Sequence, residues 1–308
     1  MQKINLNFIS YVAAILIVAL TLSSVYLPSF ELIYSFQNYL VHFMFLLIGI
    51  GLIGLIINNK TLLFVSFGCA VILAVFLKSA SNQELKNLEI NNEVEITIAH
   101  INLSLLSDMS LLKSLINDKN VDVISFQEFT PNWYSTLPLI LKTIFPFNYT
   151  DVRADIHGKA IFSKFELTDA LMLNYENTSF IKTSISKMGK SFNLISAYIM
   201  PPLDGNSKKI AHNQIGILVN LVNDYKQNLI LSGEFNQVYW SKNILFFRKK
   251  TGLLNSRRNA DPSTLKMPFD HIFYTSDLEN FYFEDLNLKK DGHIGSIGSY
   301  QIKKVSEN

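Results

Sequence analysis

The stretch VDVISFQEFTPNW, residues 121–133, decides how this chain is read. Val121–Gln127 has the length and apolar content of one buried strand. It ends on Gln127 and Glu128, and Pro131 then opens a helical pattern that runs to Phe145. A strand that ends on a carboxylate aims that group, from rigid backbone, past the edge of its sheet. Four more segments carry chemistry-bearing residues in the same way: Asn102 in HINL, the run HGKAIFSKF (His157–Phe165), Glu234 and Asn236 in NLILSGEFNQ, and Asp270–His271 in PFDHIFYTS. Around them, Glu95–Leu103 alternates as a strand, and Phe180–Ser186 and Phe192–Met200 read as paired strands turned by Met188–Lys190. Leu229–Ser232 and Ile272–Thr275 are short apolar strands, while Ser107–Asn117 and Ser207–Tyr225 have helical spacing.

Upstream the composition changes. Residues 1–80 carry only Lys3, Lys60, Lys78 and Glu31 as charges, so 24 of the 27 basic and 24 of the 25 acidic residues lie beyond them. Phe8–Leu27, Tyr39–Ile57 and Leu62–Leu77 are apolar runs, and a bilayer core of roughly 30 Å takes about 20 helical residues. This predicts a membrane domain over 1–80 with three spans near 8–27, 38–57 and 61–78, a polar linker over 81–93, and a soluble domain over 94–308. Two further apolar runs follow the first with no cleavage pattern, which argues against a signal peptide. Gly49, Gly51 and Gly54 spell a dinucleotide fingerprint, but inside a span small residues serve close helix packing instead. Lys3 and Lys60 against an uncharged first loop place the soluble domain outside the cytoplasm, and Lys78 and Lys86 argue the reverse. The one cysteine, Cys69, excludes an internal disulfide. A soluble part of balanced charge disfavours extended nucleic acid as a partner.

The polar strand ends suit phosphoester hydrolysis with a divalent cation. Mg²⁺, or Mn²⁺ in its place, takes few carboxylates and keeps several waters, so Glu128 suffices as an anchoring ligand. Asn102 and Asn236 suit hydrogen bonds to phosphate oxygens, and Glu234 is placed to accept a proton from the attacking water. Each residue also has a plainer reading: Glu128 as a helix cap, Asn236 as turn chemistry, Asp270–His271 as a structural hydrogen bond.

Taken in order, the segments resemble the endonuclease/exonuclease/phosphatase superfamily from about Val94 to Val305. Its marks here are Gln127–Glu128, Gly158–Lys164, the G-D-x-N motif as Gly233–Glu234–Phe235–Asn236, and D-H-I-F at Asp270–Phe273. The resemblance implies a four-layer α/β sandwich of the DNase I type behind the transmembrane helices. It implies a metal-binding role for Glu128 and a first active-site Asn at Asn102. Tyr198 stands where many members have a strand His, and Glu234 and Asn236 stand for the catalytic Asp and its companion. Asp270 would pair with an active-site His.

The pattern breaks in two places. The closing G-S-D-H aligns with Gly298–Gln301, so that Tyr300 replaces the Asp and Gln301 the catalytic His. Glutamine carries no titratable proton. An extra methylene in Glu234 moves the carboxylate by roughly 1.5 Å. Together these predict reduced or lost hydrolysis; the alternative is an active, divergent Mg²⁺-dependent phosphodiesterase or phosphomonoesterase. A different alignment of the last strand would bring in Asp291 and His293 instead. The expected ligand is a phosphorylated small molecule or a lipid head group, and the expected location a bacterial plasma membrane. The basic cluster Arg248, Lys249, Lys250, Arg257 and Arg258 reads as a solvated helix end, or as a cleft rim that attracts anionic lipid.

Overall fold

The computed structural model describes residues 6–27, 31–82, 94–106, 109–175, 178–225, 227–257, 267–288 and 292–304. Most of the expected linker, with Lys86, lies outside them, as do Lys3, Arg258 and Asp291. The chain divides into two compact units: one holds the N-terminal helices together with residues 238–245, the other holds the β-sheets.

In the helical unit, α1 (Leu6–Tyr26), α2 (Glu31–Phe36), α3 (Leu40–Ile56) and α4 (Lys60–Ala80) follow one another. Among the described residues, three stretches are long and apolar enough to cross a membrane: Phe8–Tyr26, Ile33–Ile56 and Lys60–Ala80. The second starts earlier than its uncharged core suggests, because α2 and a 3-10 turn at Gln37–Tyr39 run into α3. Asn59 caps α4 by accepting from the Leu62 amide at 3.1 Å, and its own amide donates to Ser10 Oγ at 2.6 Å. A Cβ on Gly54 would stand 2.8 Å from the Leu63 backbone nitrogen, so this glycine serves the close approach of α3 and α4. Trp240, 1% exposed, belongs to this unit and donates its indole N–H to the Gln37 carbonyl at 2.8 Å.

In the α/β unit, two six-stranded sheets are formed by β1 (Glu95–Asn102), β2 (Val123–Gln127), β3 (Phe147–Asp151), β4 (Lys159–Ser163), β5 (Thr168–Tyr175), β6 (Thr178–Lys187), β7 (Lys190–Tyr198), β8 (Leu229–Glu234), β9 (Leu254–Asn255), β10 (Asp270–Tyr274), β11 (Leu278–Leu288) and β12 (Gly292–Ile302). Their orders are β11-β12-β1-β2-β4-β3 and β5-β6-β7-β8-β10-β9. On the first sheet, Ala99, Ile101, Ile124, Phe126 and Phe162 pack in one cluster with Leu112 and Ile116 of α5 (Met109–Asp118) and Leu137 and Leu141 of α6 (Pro131–Leu141). Between the sheets, Ile96, Ile98, Val123 and Ile161 meet Ile181, Leu194, Ile230 and Ile272. This is the expected α/β sandwich, with mixed sheets face to face.

Period-two alternation makes each inward face a gradient. Along β1 it reads Ile96, Ile98, His100, Asn102; along β8, Ile230, Ser232, Glu234. The register pairs His100 with Ser125 and Ser196 with Ser232, then Asn102 with Gln127, and Glu234 with both Tyr198 and Asp270. The interlayer is thus apolar at one end, carries small polar groups in its middle and presents carboxylates and amides at its other edge.

Close pairing of β7 with β8 depends on Gly233. A Cβ there would lie 2.0 Å from the Ala197 carbonyl oxygen, and both partners are backbone. Gly233→Ala is expected to destabilise the chain by about 1–3 kcal/mol, as overpacking does, read as a lower unfolding midpoint of the full chain in detergent.

Candidate active site

Six strand ends supply the polar edge: β1, β2, β7, β8, β10 and β12. Glu128 follows β2 with φ 61°, and Asn236 follows β8 with φ 54°. Non-glycine residues in the left-handed region are uncommon and strained, and they gather at functional sites. At Glu128 the turn is held on both sides: Gln127 Nε2 donates to the Ile156 carbonyl at 2.8 Å, and the Phe129 amide donates to the Gly158 carbonyl at 3.0 Å.

Asn102 links the two sheets. Its Nδ2 donates to Glu128 Oε1 at 3.1 Å and to Glu234 Oε2 at 3.3 Å. Its Oδ1 accepts from the Ser104 amide at 3.0 Å and the Ser104 hydroxyl at 2.8 Å. The amide is therefore fully used, and it serves the two carboxylates rather than standing ready for phosphate. Asn236 Nδ2 donates to the Ile199 carbonyl at 2.9 Å, and its side chain also bonds Tyr198. Burial raises the Tyr198 phenol, and the charge of Glu234 adds to the shift, so the phenol keeps its proton and can donate it. The His157 ring stands edge-on to Tyr198 at 5.1 Å, and burial lowers its basicity.

Asp270, 2% exposed, closes the site. Its Oδ1 accepts from His293 Nε2 at 2.6 Å and from Arg257 Nη2 at 3.2 Å, and its Oδ2 accepts from Ser296 Oγ at 2.6 Å. Burial opposes ionisation, yet the His293 and Arg257 charges prevail and hold the carboxyl well below the usual range. His293 is likewise disfavoured by burial, but Asp270 outweighs that and raises it. His271 belongs to another environment: its Nε2 donates to the Gln237 carbonyl at 2.8 Å and its Nδ1 accepts from Asn255 at 3.2 Å. Burial keeps it neutral, with a pKa of about 3.

The alignment of the last strand is corrected here. β12 runs antiparallel to β1, with Gln301 opposite Glu95 and Gly295 opposite Ile101. Only the beginning of β12 reaches the edge that Asn102 occupies, so Gln301 stands about 20 Å away, at roughly 3.3 Å per residue. There Gln301 Nε2 donates to Glu279 at 3.0 Å. Tyr300 is buried, with its hydroxyl bonded to Ser256 Oγ at 2.7 Å. The imidazole facing Asp270 is that of His293. The basic cluster is corrected in part as well: Arg257 is 2% exposed and lines no rim. The sequence pattern gives no sign of Ser296 and shows Arg257 only as a member of the basic cluster; the signal for β12 is the Asp291–Gly292 pair, a hairpin mark before a new strand, with Gly292 at φ 72°.

The donors at Glu128, Glu234 and Asn102 are hard oxygens and one amide. Among the described residues no group of three His, Cys, Asp or Glu side chains forms a metal cage. One or two carboxylates with room for water are a donor set that suits a hard divalent cation.

A profile of the Endonuclease/Exonuclease/phosphatase family matches residues 99–289, more than half of the chain. The chain belongs to this family. Among solved structures it is similar to D. rerio TDP2 complexed with a single-stranded DNA product (12% identity, 68% of this chain and 100% of that one, TM-score 0.56). The human Nocturnin catalytic domain with bound sulfate matches at 15% identity, over 70% and 97% of the two chains, with TM-score 0.55. A family protein from Bacteroides thetaiotaomicron matches at 14% identity, over 70% and 100%, with TM-score 0.51. At these identities the likeness concerns the fold. No curated protein matches.

The shifted histidines set the pH dependence of stability. His293, raised in the fold, contributes stability that is complete below its unfolded pKa of about 6.5 and is lost as pH rises through its folded value. His100, held by burial at a pKa of about 4, and His271 act in the opposite sense, so stability falls as pH drops below about 6.5. His293→Gln is expected to abolish the alkaline loss and leave the acid loss in place, as measured by unfolding midpoints from about pH 5 to 9.

Proposed function

We propose that this chain is a membrane-tethered, divalent-metal-dependent phosphoester hydrolase. The observation that carries the proposal is the buried Asp270–His293 pair, at 2.6 Å, on the edge where Glu128, Glu234, Asn236 and Tyr198 end. With that imidazole present, the reason to infer lost hydrolysis from Gln301 falls away.

In this reading Glu128 holds Mg²⁺ or Mn²⁺, with Asn102 fixing its carboxylate. The cation, when bound, polarises the phosphoryl oxygen and offsets developing charge. Glu234 accepts the proton of the attacking water. Tyr198, kept protonated and held by Asn236, donates a hydrogen bond to a phosphate oxygen. His293, charged through Asp270, gives a proton to the departing oxygen or binds the phosphoryl group as a cation. The balanced charge of the soluble part favours a phosphorylated small molecule or a lipid head group over extended nucleic acid. Spans of this length and composition support a membrane tether, and Lys3 and Lys60 against the uncharged first loop favour the α/β domain outside the cytoplasm.

One feature favours a second reading, a domain that binds phosphate without turnover. Glu234 occupies the place of a shorter Asp, and a displacement of about 1 Å can cost about 10²-fold in rate. The assay that separates the two uses the full chain in nanodiscs with Mg²⁺ or Mn²⁺ and generic phosphodiesters and phosphomonoesters. Hydrolysis that a chelator abolishes, and that falls by about 10²–10⁴-fold in Glu234→Gln, is the expected result. No turnover with either substrate class, or turnover unaffected by Glu128→Ala, overturns the hydrolase.

A further inference from the structure

Arg257 reads in the sequence as one more member of a surface basic run, yet it is among the largest fully buried side chains described. Its Nη2 donates to the Asp270 carbonyl at 3.0 Å and to Asp270 Oδ1 at 3.2 Å, and its Nη1 bonds Asp285 of β11. Its guanidinium lies over the Phe283 ring at 5.4 Å. Its own backbone amide donates to Asn255 Oδ1 at 2.9 Å, which fixes where the side chain starts. One planar cation thus spans carboxylates from β10 and β11 and leaves Asp270 Oδ1 shared with His293.

We propose that Arg257 is a positioning residue of the site: it clamps Asp270 and Asp285 into one buried charge cluster and leaves His293 facing a single uncompensated negative charge. This rests on the reading of Asp270–His293 as the acid–base pair. The charges support it. Two carboxylates and one guanidinium sum to one negative charge, which the imidazolium of His293 neutralises. When His293 gives up its proton, one buried negative charge remains, and when it regains one the cluster is again neutral. A cluster without Arg257 would hold two negative charges and would bind the histidine's proton too firmly for release. Among the described residues, the charged and titratable groups that act on His293 are Asp270 of β10, Arg257, Asp285 of β11 and, from β1, the neutral His100. Their directions agree: Arg257 lowers His293, and Asp270 and Asp285 raise it. Asp285 itself is raised by burial, against the pull of Arg257.

The test is a charge cycle in the full chain in nanodiscs. The His293 imidazole is titrated by NMR, its resonance assigned with His293→Gln, in wild type, Arg257→Met, Asp285→Asn and the double variant. The expected result is an upward shift of about one pH unit in Arg257→Met, a downward shift in Asp285→Asn, and a return close to wild type in the double variant. The pH limb of turnover should move with the NMR value. If Arg257→Met does not fold, Arg257→Gln takes its place in the cycle, with the same upward shift expected. No shift in either variant, or shifts of the same sign in both, overturns the proposal. The titration needs no turnover: shifts as expected in a chain that hydrolyses nothing would remove the hydrolase reading and leave the charge cluster standing.

Discussion

A carboxylate taken out of water costs several kcal/mol unless it is paired and hydrogen-bonded, and Asp270 is such a group. The chain meets that cost with three donors from separate places: Arg257 beyond β9, and His293 and Ser296 of β12. None of them satisfies Asp270 unless β10, β11 and β12 are all in register. Such a cluster contributes little net stability compared with an apolar core, but it penalises every arrangement that leaves one member unpaired. The same constraint keeps His293 at the edge where Glu128 and Glu234 are joined through Asn102. The register of these strands and the placement of His293 therefore depend on one buried charge balance.

Much of this was legible along the chain. Local strand ends such as Gln127–Glu128, Gly233–Asn236 and Asp270–Phe273 carry their meaning within a few residues, because an apolar strand and its polar terminus are neighbours in sequence. The long apolar runs are equally local, which is why three candidate spans could be read from composition. What stayed hidden depends on partners far away. Arg257 looks solvated until Asp270 and Asp285, 13 and 28 residues on, are known to enclose it. The register of β12 was misread because His293–Gln301 is diluted by Gly295 and Gly298 and lacks strict alternation. Its pairing with β1, across about 200 residues, decides which end meets the site, and no local pattern encodes that.

The interlayer shows how a core and a cleft grow from the same strands. Ile98, Val123 and Ile230 anchor the sheets; one step along, His100, Ser125 and Ser196 form a buried chain with Ser125 Oγ and Ser196 Oγ 2.8 Å apart. One step further stand the residues of the site. A polar layer between core and cleft gives His100 and its neighbours partners inside, so the charged edge need not sit directly on hydrocarbon. The helical unit contributes in another way: residues 238–245, which follow Asn236 closely in sequence, belong to it, with Trp240 bonded to Gln37. The apolar N-terminal helices thus share a compact unit with a short segment of the family domain.

The most direct measurement compares two single variants of the full chain, His293→Ala and Gln301→Ala, for metal-dependent turnover of a generic phosphoester. The account predicts a fall of about 10²–10⁴-fold in His293→Ala, the usual cost of removing a general acid or base, and turnover close to wild type in Gln301→Ala. Turnover that survives in His293→Ala and collapses in Gln301→Ala would contradict it.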